Sequence, residues 1–281
     1  AQGVQTGTLT GVVTSTDRMA ISDAQVSVTS SALQGERAVA TDVIHLGSPE
    51  GAQAAAQSLL EPLDYSLINR DEILDGFAGD YRVADITYGV ALAYNTDKTA
   101  GKVPEGWADF FDLTKFPGNR GLWKYSTGGV FEFALLADGV APDELYPLDI
   151  PRAIAKLDTI KDDFVWWTSG AQSQELIGSG EVAMTLIWNG RGWSAKNTDG
   201  KPVEMQWNQQ IVTADYLVVP KGSPNKDAAM KFIAYTICAE NNAKPSQYIP
   251  YGPTNINAQP APDKVADLAV SNAENAAYFD D

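Results

Sequence analysis

Short apolar runs alternate with amphipathic stretches along the chain from residue 42 to about residue 240. Each apolar run ends in small or polar residues, which is typical of buried strands: DVIHLGS, YGVALAYNTD, GLWKYSTGG, VAMTLIW and ADYLVVP. The stretches between them have helical spacing or cap residues: PEGAQAAAQSLLEPL, GWADFFDL, VFEFALLADGV, DIPRAIAKLDTIKDD, SGAQSQELIGSGE and NKDAAMKFIAYTICAE. This alternation predicts an α/β fold with sheets of the parallel type.

Residues 1–41 follow a different pattern. Thr, Val and Ser alternate between turn residues in GTLTGVVTSTD and AISDAQVSVTS, which predicts short strands. These stretches resemble the opening of carboxypeptidase-regulatory-like β-sandwich modules, which occur at the N-termini of outer-membrane receptors. So short a segment is small for an independent sandwich, because its edge strands would stay uncovered. We therefore expect an atypical β-rich segment that is foreign, fused or misassigned, and that either adds strands to the α/β part or packs loosely outside it.

The charge balance narrows the classes of partner. The sequence of 281 residues has a formal net charge of −16. Nucleic-acid binding is therefore not expected, because phosphate contacts need a basic surface.

The sequence has no run of about 18 apolar residues, so we expect no membrane span. One interpretation of the opening residues AQGVQTG is a mature end produced by cleavage at a small-residue site.

Cysteine and histidine are scarce, with one of each in the sequence, Cys238 and His45. Neither a disulfide framework nor a zinc cluster can be built from them, and we predict no metal and no cofactor. Cys238 lies in an apolar helical pattern, so we expect a small buried side chain. Nothing local brings it to His45, as a catalytic cysteine–histidine pair would require.

Large aromatic residues fall mostly where strands end or helices begin. In VAMTLIWNGRGWSA, for example, an apolar run closes on a tryptophan, an amide and two glycines. Ligands of open α/β sheets bind at the carboxyl ends of strands, where aromatic groups and a few polar ones form a small-molecule pocket. Core packing is the alternative for each ring taken singly, and the adjacent Trp166 and Trp167 cannot point the same way. The rings in this pattern belong to Trp123, Trp166, Trp167, Trp188, Trp193, Trp207 and Tyr251.

Residues 42 to about 257 resemble periplasmic solute-binding proteins of ABC importers, of the spermidine/putrescine-binding kind. The resemblance rests on the order and spacing of LLEPLD, YGVALAYNTDK, GWADFFDLTKFPG, QSQELIGSGEVAMTLIWNGR, DYLVVPKGSPNKDAAMKFIAY and IPYGPTN. It implies a type II periplasmic-binding-protein fold, in which two α/β lobes close on a ligand in the cleft between them. It further implies periplasmic localisation and delivery of a small-molecule ligand to an inner-membrane ABC transporter permease. We expect a monomer.

The lobe boundaries follow from two predicted crossing strands, GVALAYN and DYLVVP. Lobe 1 is expected to take residues 42–106 and 216–256. Lobe 2 is expected to take residues 107–215 and 257–281.

The resemblance also implies site residues. Trp188 matches the family's pocket tryptophan in its WNG motif, and its face can stack on an alkyl chain or cover a cation. Asp215 in TADYLVVP matches an aspartate that binds an amine, and Tyr251 in IPYGPTN matches a pocket aromatic residue. Ser48 matches a loop that lines the first lobe. Further candidates at helix entries are Ser126, Thr127, Ser169 and Gln172.

Two departures from the family pattern bear on the ligand. Polyamine-binding members have acidic residues in the loop before VFEFALL, where this chain has Ser126, Thr127, Gly128 and Gly129. Hydroxyls and backbone amides at a helix start suit a neutral or anionic group better than a second ammonium. The family's first strand and loop, which also supply pocket residues, have no counterpart in residues 1–41. We expect one cationic or hydrogen-bond-donor end of the ligand at Asp215, and a neutral or anionic end near residues 126–129.

The leading hypothesis is an extracytoplasmic binding protein, not an enzyme, for a small polar or cationic solute such as a polyamine or related amine. An enzyme on the same bilobal scaffold would need a nucleophile beside a base; Asp215 could be the base, but no Ser–His or Cys–His partner is evident. A ferric-ion-binding protein would use Tyr248 and Tyr251, although the usual adjacent tyrosine pair is absent. An adhesion or receptor-associated module is suggested by residues 1–41 alone.

Overall fold

A mixed sheet of eight strands organises residues 41–279, the part of the chain that the computed structural model describes. The strands are β1 (Ile44–Gly47), β2 (Val83–Asn95), β3 (Arg120–Trp123), β4 (Phe164–Trp167), β5 (Met184–Trp188), β6 (Val203–Val218), β7 (Gly252–Pro253) and β8 (Ala277–Tyr278). The α-helices are α1 (Ser48–Ala56), α2 (Trp107–Phe111), α3 (Val130–Ala137), α4 (Ile150–Asp158), α5 (Gly170–Ser179), α6 (Asn189–Asn197), α7 (Lys226–Ile237) and α8 (Ala239–Asn242).

The strand order is β1-β6-β2-β5-β3-β4, with β7 paired to β2 and β8 paired to β6. The long strands β2 and β6 pair antiparallel, as do β1 with β6 and β2 with β5. Parallel pairing joins β3 to β4 and β5, and β6 to β8. The prediction of parallel-type sheets is therefore wrong for the centre of the sheet, because β2 and β6 run through it in opposite directions.

A β-bulge interrupts β2 next to the predicted site. Ala84 pairs with Tyr216 and Ile86 pairs with Asp215, so Asp85 is an extra residue between them. A bulge turns the side chain of the extra residue away from regular alternation. Asp85 can thus reach across β6 toward β1.

A second irregularity lies on β6. Residues 90 to 92 of β2 are matched by residues 206 to 211 of β6, so the additional residues form a kink in β6. Within the kink Gln209 has a positive φ of 62°. The indole Nε1 of Trp107 donates a hydrogen bond to the Gln209 carbonyl at 3.0 Å, which anchors the kink to α2.

The buried apolar residues of β2 belong to different packed clusters at different positions along the strand. Val83 packs in a cluster with residues of α7, whereas Val90 belongs to the largest cluster, which includes Trp107. Ile86, between them, belongs to a small separate group with Tyr251. β2 therefore passes from one packed region to another, and the small group lies at the crossing.

Arg120 is a fully buried cation at the start of β3. Its guanidinium donates hydrogen bonds to the backbone carbonyls of Phe110, Phe116 and Gly118. Burial lowers the pKa of Arg120 to about 10, which still leaves the side chain charged at neutral pH. Arg120 therefore ties β3 to α2 and to the turn after it.

Glu132 on α3 is a buried acid. The Tyr146 hydroxyl donates a hydrogen bond to its Oε1 at 2.9 Å. Burial nevertheless raises the pKa of Glu132, because the charged carboxylate is poorly solvated there.

Each of the predicted strands and helices from residue 42 onward occurs. Further elements were not predicted: β4, α6, the first half of β6, and the short elements α8, β7 and β8. Two glycines, Gly190 and Gly192, hide the helical pattern of α6. A Cβ at residue 192 would lie 2.2 Å from the Met205 sulfur, and one at residue 190 would lie 2.5 Å from Ile249. Close packing therefore requires glycine there, at the expense of helix propensity.

Two sequence-based predictions about single residues had different outcomes. Cys238 is exposed, so the prediction of a buried side chain is wrong. The reason is that α7 ends at Ile237, and extended backbone at Cys238 leads into α8. Trp166 is 44% exposed while Trp167 is fully buried, which confirms that the two rings point to opposite sides.

The predicted β-rich segment at residues 1–41 lies, except for its last residue, outside the described residues. Among residues 41–279, no helix has the length and apolar character needed to cross a lipid bilayer.

Candidate functional site

Asp215 and Trp188 lie on one face of the sheet at the crossing. Asp215 pairs with Ile86 of β2, and Trp188 pairs with Val90 of the same strand. Directly opposed residues share a face, and side chains two positions apart on a strand point the same way. Tyr88 is therefore on this face between them, and four residues of strand separate the two ends by about 13 Å.

The carboxylate of Asp215 forms the acidic end of this face. Its residue is 9% exposed, and the Tyr88 hydroxyl donates a hydrogen bond to Oδ1 at 3.0 Å. The imidazole Nδ1 of His45 lies 3.8 Å from Oδ2. Gly47 of β1 pairs with Asp215, and Ser48 follows it as the first, buried residue of α1. Two of the predicted site residues, Ser48 and Asp215, therefore lie at the same end of the sheet.

Tyr251 packs against the middle of this face. Its ring centroid lies 5.6 Å from that of Tyr88, and its side chain is buried. A Cβ at Gly190 would lie 2.7 Å from the Tyr251 ring, so glycine lets α6 approach the tyrosine. Tyr251 thus joins α6 to the same tyrosine that hydrogen-bonds Asp215.

Three tryptophans form a wall at the other end. Trp188 lies in edge-to-face contact with Trp123 and Trp167, with centroids 5.5 and 5.3 Å apart, and Trp123 and Trp167 are 4.8 Å apart. Rings this close contact each other and leave no space for a cation between them. Trp188, which is only partly buried, is therefore held in a fixed orientation by the other two rings.

Arg191 on α6 is a buried cation beside Trp188. It is 9% exposed, and its Nε has no hydrogen-bond partner among residues 41–279. The ion pairs of these described residues do not include it either. A Cβ at Gly170 would lie 2.8 Å from both Arg191 Nε and the Trp188 ring. Glycine at the start of α5 therefore gives the guanidinium and the indole their space.

The loop before α3 lies at the Trp188 end. A Cβ at Gly128 would be 3.2 Å from Trp123, and one at Gly129 would be 3.0 Å from Ile211, which pairs with Val90. The loop also needs glycine for its backbone, because φ is 78° at residue 128 and 96° at residue 129. Ser126 and Thr127 are exposed on this loop.

Ser169 and Gln172 cap the start of α5. The Ser169 hydroxyl accepts a hydrogen bond from the Gln172 backbone N–H at 3.3 Å, and Gln172 Oε1 accepts one from the Thr168 N–H at 2.9 Å. Their polar groups therefore stabilise the helix terminus next to Gly170.

Asn189, between Trp188 and Gly190, holds three segments together. Its Oδ1 accepts a hydrogen bond from the Gly89 N–H at 3.0 Å. Its Nδ2 donates to the carbonyls of Pro250 at 2.7 Å and Asp267 at 3.0 Å. Because Asn189 is 1% exposed, these bonds fix β2, the Tyr251 loop and the C-terminal segment relative to α6.

Residues 41–279 contain no group of three or more His, Cys, Asp or Glu side chains placed to hold a metal ion. Tyr248 is 63% exposed whereas Tyr251 is 4% exposed, so the two tyrosines have very different surroundings.

Several residues of the site had no assigned role in the sequence analysis: Tyr88, Arg191, His45 and Asp85. Tyr88 was detectable, because it lies one position before the strand pattern GVALAYN. Arg191 is the last residue of the WNGR motif, but its burial becomes visible only in the tertiary structure. The contact of His45 with Asp85 depends on a bulge, which periodicity does not reveal.

The family model of bacterial extracellular solute-binding proteins matches residues 8–272. A γ-aminobutyric acid-binding protein of Pseudomonas aeruginosa is 35% identical over 223 residues, which cover 77% of this chain and 62% of that protein. A spermidine/putrescine-binding periplasmic protein of Salmonella typhimurium is 26% identical over 64% of this chain and 51% of that protein. The chain thus spans less than two thirds of the length of these relatives.

Solved structures give the same picture. A GABA receptor is 44% identical with a TM-score of 0.81, over 86% of this chain and 76% of that chain. The binding protein AgtB of A. tumefaciens R10, solved with agropinic acid, is 35% identical with a TM-score of 0.78, over the same shares of both chains.

These comparisons confirm the predicted periplasmic-binding-protein fold, and the relatives are binding proteins, not enzymes. They do not support a carboxypeptidase-regulatory-like module, and the family match begins at residue 8, within the segment predicted to be foreign. The chain belongs to the family of bacterial extracellular solute-binding proteins.

Proposed function

We propose that this protein binds a small ω-amino acid of the γ-aminobutyrate type. Its ammonium group would pair with Asp215 and its carboxylate with Arg191, while Trp188 and Tyr251 would cover the methylene chain. The residues predicted from sequence, including Ser48, Ser126, Thr127, Ser169 and Gln172, remain proposed lining residues of the same cleft.

The observation that carries the proposal is the buried guanidinium of Arg191, whose Nε lacks a hydrogen-bond partner among the described residues. A buried charge is costly unless a counter-ion and hydrogen bonds compensate for it. A ligand carboxylate supplies both, because it matches the fork of guanidinium donors. The ligands of two relatives, γ-aminobutyric acid and agropinic acid, are both acids, which supports an anionic end.

Polyamines are the competing ligands. The Asp215 end would accept one ammonium of putrescine equally well. Its second ammonium would then approach the Trp188 end, where Arg191 is a buried cation, and like charges at short range repel. The acidic residues that polyamine binders have before α3 are replaced here by Ser126–Gly129. A zwitterion is therefore the better match.

The wider role that we propose is capture of this solute in the periplasm, closure of two lobes on it, and delivery to the permease of an ABC importer. The lobe assignment of residues 42–106 and 216–256 against 107–215 and 257–281 is part of this proposal. It is supported by the separate packed regions that β2 connects.

Calorimetry with four matched ligands tests the proposal. γ-Aminobutyrate has both charges, butylamine only the ammonium, butyrate only the carboxylate, and putrescine two ammonium groups. We expect γ-aminobutyrate to bind at least about 100-fold more tightly than the other three, because a ligand that lacks one of the two charges loses its ion pair with Asp215 or with Arg191. Arg191→Gln should weaken γ-aminobutyrate binding by about 100-fold and leave butylamine binding unchanged.

Arg152→Gln is the matched control, since it removes a half-exposed guanidinium that pairs with Asp138 outside the site. It should bind γ-aminobutyrate like the wild type. Tighter binding of putrescine than of γ-aminobutyrate, or full γ-aminobutyrate affinity in Arg191→Gln, would show that the site takes a different class of ligand.

A further inference from the structure

His45 lies among carboxylates next to the acidic end of the site. Its Nε2 is 2.6 Å from Asp85 Oδ1, and its Nδ1 is 3.8 Å from Asp215 Oδ2. Three neighbouring strands, β1, β2 and β6, supply the three side chains. The bulge at Asp85 is what allows a residue of β2 to reach across β6 to β1.

The hydrogen bond to Asp85 sets the roles of the two ring nitrogens. A carboxylate only accepts, so Nε2 carries a hydrogen and donates it to Asp85. In the neutral ring Nδ1 then has a lone pair directed toward the Asp215 side. Addition of a proton at Nδ1 converts this lone pair into a donor that can pair with Asp215.

Other charged groups surround this pair. Glu50 on α1 contributes a third carboxylate, because a Cβ at Gly47 would lie 2.7 Å from Glu50 Oε2 and 3.9 Å from Asp215 Oδ1. Arg82 contributes a cation nearby, but its guanidinium donates to the Ser48 carbonyl at 2.7 Å and stacks on the Tyr216 ring. The described surroundings of His45 on β2, β6 and α1 are therefore mainly acidic.

We infer that His45 is a positioning residue that exchanges a proton for the ammonium group of the ligand. Without ligand, protonated His45 bridges Asp85 and Asp215 and offsets part of their negative charge. When the ammonium binds Asp215, the imidazolium next to it is repelled and releases one proton from Nδ1 to the solvent. The inference rests on the proposed function, because it assumes that the ligand ammonium binds Asp215.

The exchange makes affinity depend on pH in a defined direction. Histidine is the side chain that ordinarily changes charge between pH 5 and 8. Where free His45 is protonated, each bound ligand must displace one proton, so affinity should fall by up to about tenfold for each unit that the pH is lowered. At higher pH, where His45 is already neutral, affinity should become independent of pH.

Two measurements test the inference. Calorimetry of γ-aminobutyrate binding at pH 6, in buffers of different ionisation enthalpy, counts the protons released; we expect up to one per ligand. NMR of the imidazole signal gives a second readout, which is unambiguous because His45 is the only histidine in the sequence. Saturating ligand should shift its titration to lower pH.

His45→Gln is the informative variant, because its side-chain amide can still donate to Asp85 but does not titrate. We expect it to fold, to release no proton when ligand binds, and to lose the pH dependence of the affinity. Asp85→Asn should also reduce proton release, since it removes a charge that favours the imidazolium.

The outcomes separate the inference from the proposed function. If ligand binds through Asp215 with no proton release and a flat pH profile in the wild type, the inference is wrong and the proposed function stands. If Asp215→Asn leaves the affinity for γ-aminobutyrate unchanged, both are wrong. Persistence of the wild-type pH profile in His45→Gln would assign the proton to another group and overturn the inference.

Discussion

At the scale of single residues, the fold depends on buried charged side chains that form hydrogen bonds with their surroundings. Arg120 is the clearest case, because its guanidinium bonds three backbone carbonyls. Arg120→Met should leave all three acceptors without a donor and lower the free energy of unfolding by about 3 kcal/mol or more. Urea denaturation followed by circular dichroism measures this. Arg152→Met, which removes an exposed ion pair, should cost at most about 1 kcal/mol, and equal losses in both variants would refute the role of Arg120.

The buried carboxyl group of Glu132 leads to a prediction about how the stability of the fold depends on pH. Burial raises its pKa in the folded protein above the value in the unfolded chain. The folded state therefore prefers the neutral acid: its stabilising contribution is complete below the unfolded pKa and is lost as the pH rises through the folded pKa. Glu132→Gln keeps an acceptor for the Tyr146 hydroxyl and does not ionise. The variant should be more stable than the wild type at pH 8, and the difference should vanish near pH 4.

Thermal unfolding at several pH values measures this difference. An equal shift in melting temperature at pH 4 and pH 8 would show that Glu132 acts through packing and not through its charge.

At the scale of secondary-structure elements, α6 has the largest effect on the site. Asn189 at its start bonds three segments, and Asn189→Asp keeps the acceptor for Gly89 but loses both donors to backbone carbonyls. We expect this variant to unfold at least about 2 kcal/mol more easily and to bind ligand more weakly. Asn197→Asp, at the exposed end of the same helix, is the control and should change little. Similar losses in both variants would point to a general effect on the helix.

The same helix shows where sequence reasoning was sufficient and where it was not. Apolar runs and capping residues predicted β2, β5, α5 and α7, because their local patterns agree with the fold. α6 was missed because its glycines, selected for contact with Met205, Ile249 and Tyr251, lower its helix propensity. The aromatic ring of Trp188 was found from its position at a strand end. The role of Arg191 was not found from the sequence, because the burial of its Nε without a hydrogen-bond partner is a property of the tertiary structure.

At the scale of the whole molecule, β2 and β6 join two packed regions, and the site face lies where they cross. If the lobes close on a ligand that contacts both, the radius of gyration should decrease when ligand is added. Small-angle scattering with and without saturating γ-aminobutyrate measures the change. Butyrate at the same concentration is the control. Saturation by γ-aminobutyrate with no change in the radius of gyration would contradict closure.

The exposed cysteine has a practical consequence. Cys238 is the only thiol in the sequence, so a maleimide dye would attach at one position without any engineered residue. It immediately precedes the short helix α8, whose last residue, Asn242, donates a hydrogen bond to the Asp85 carbonyl at 2.6 Å. A fluorophore there is only a few residues from the bulge that contacts His45. The chain can therefore carry a dye at its own cysteine and serve as an optical sensor of its solute.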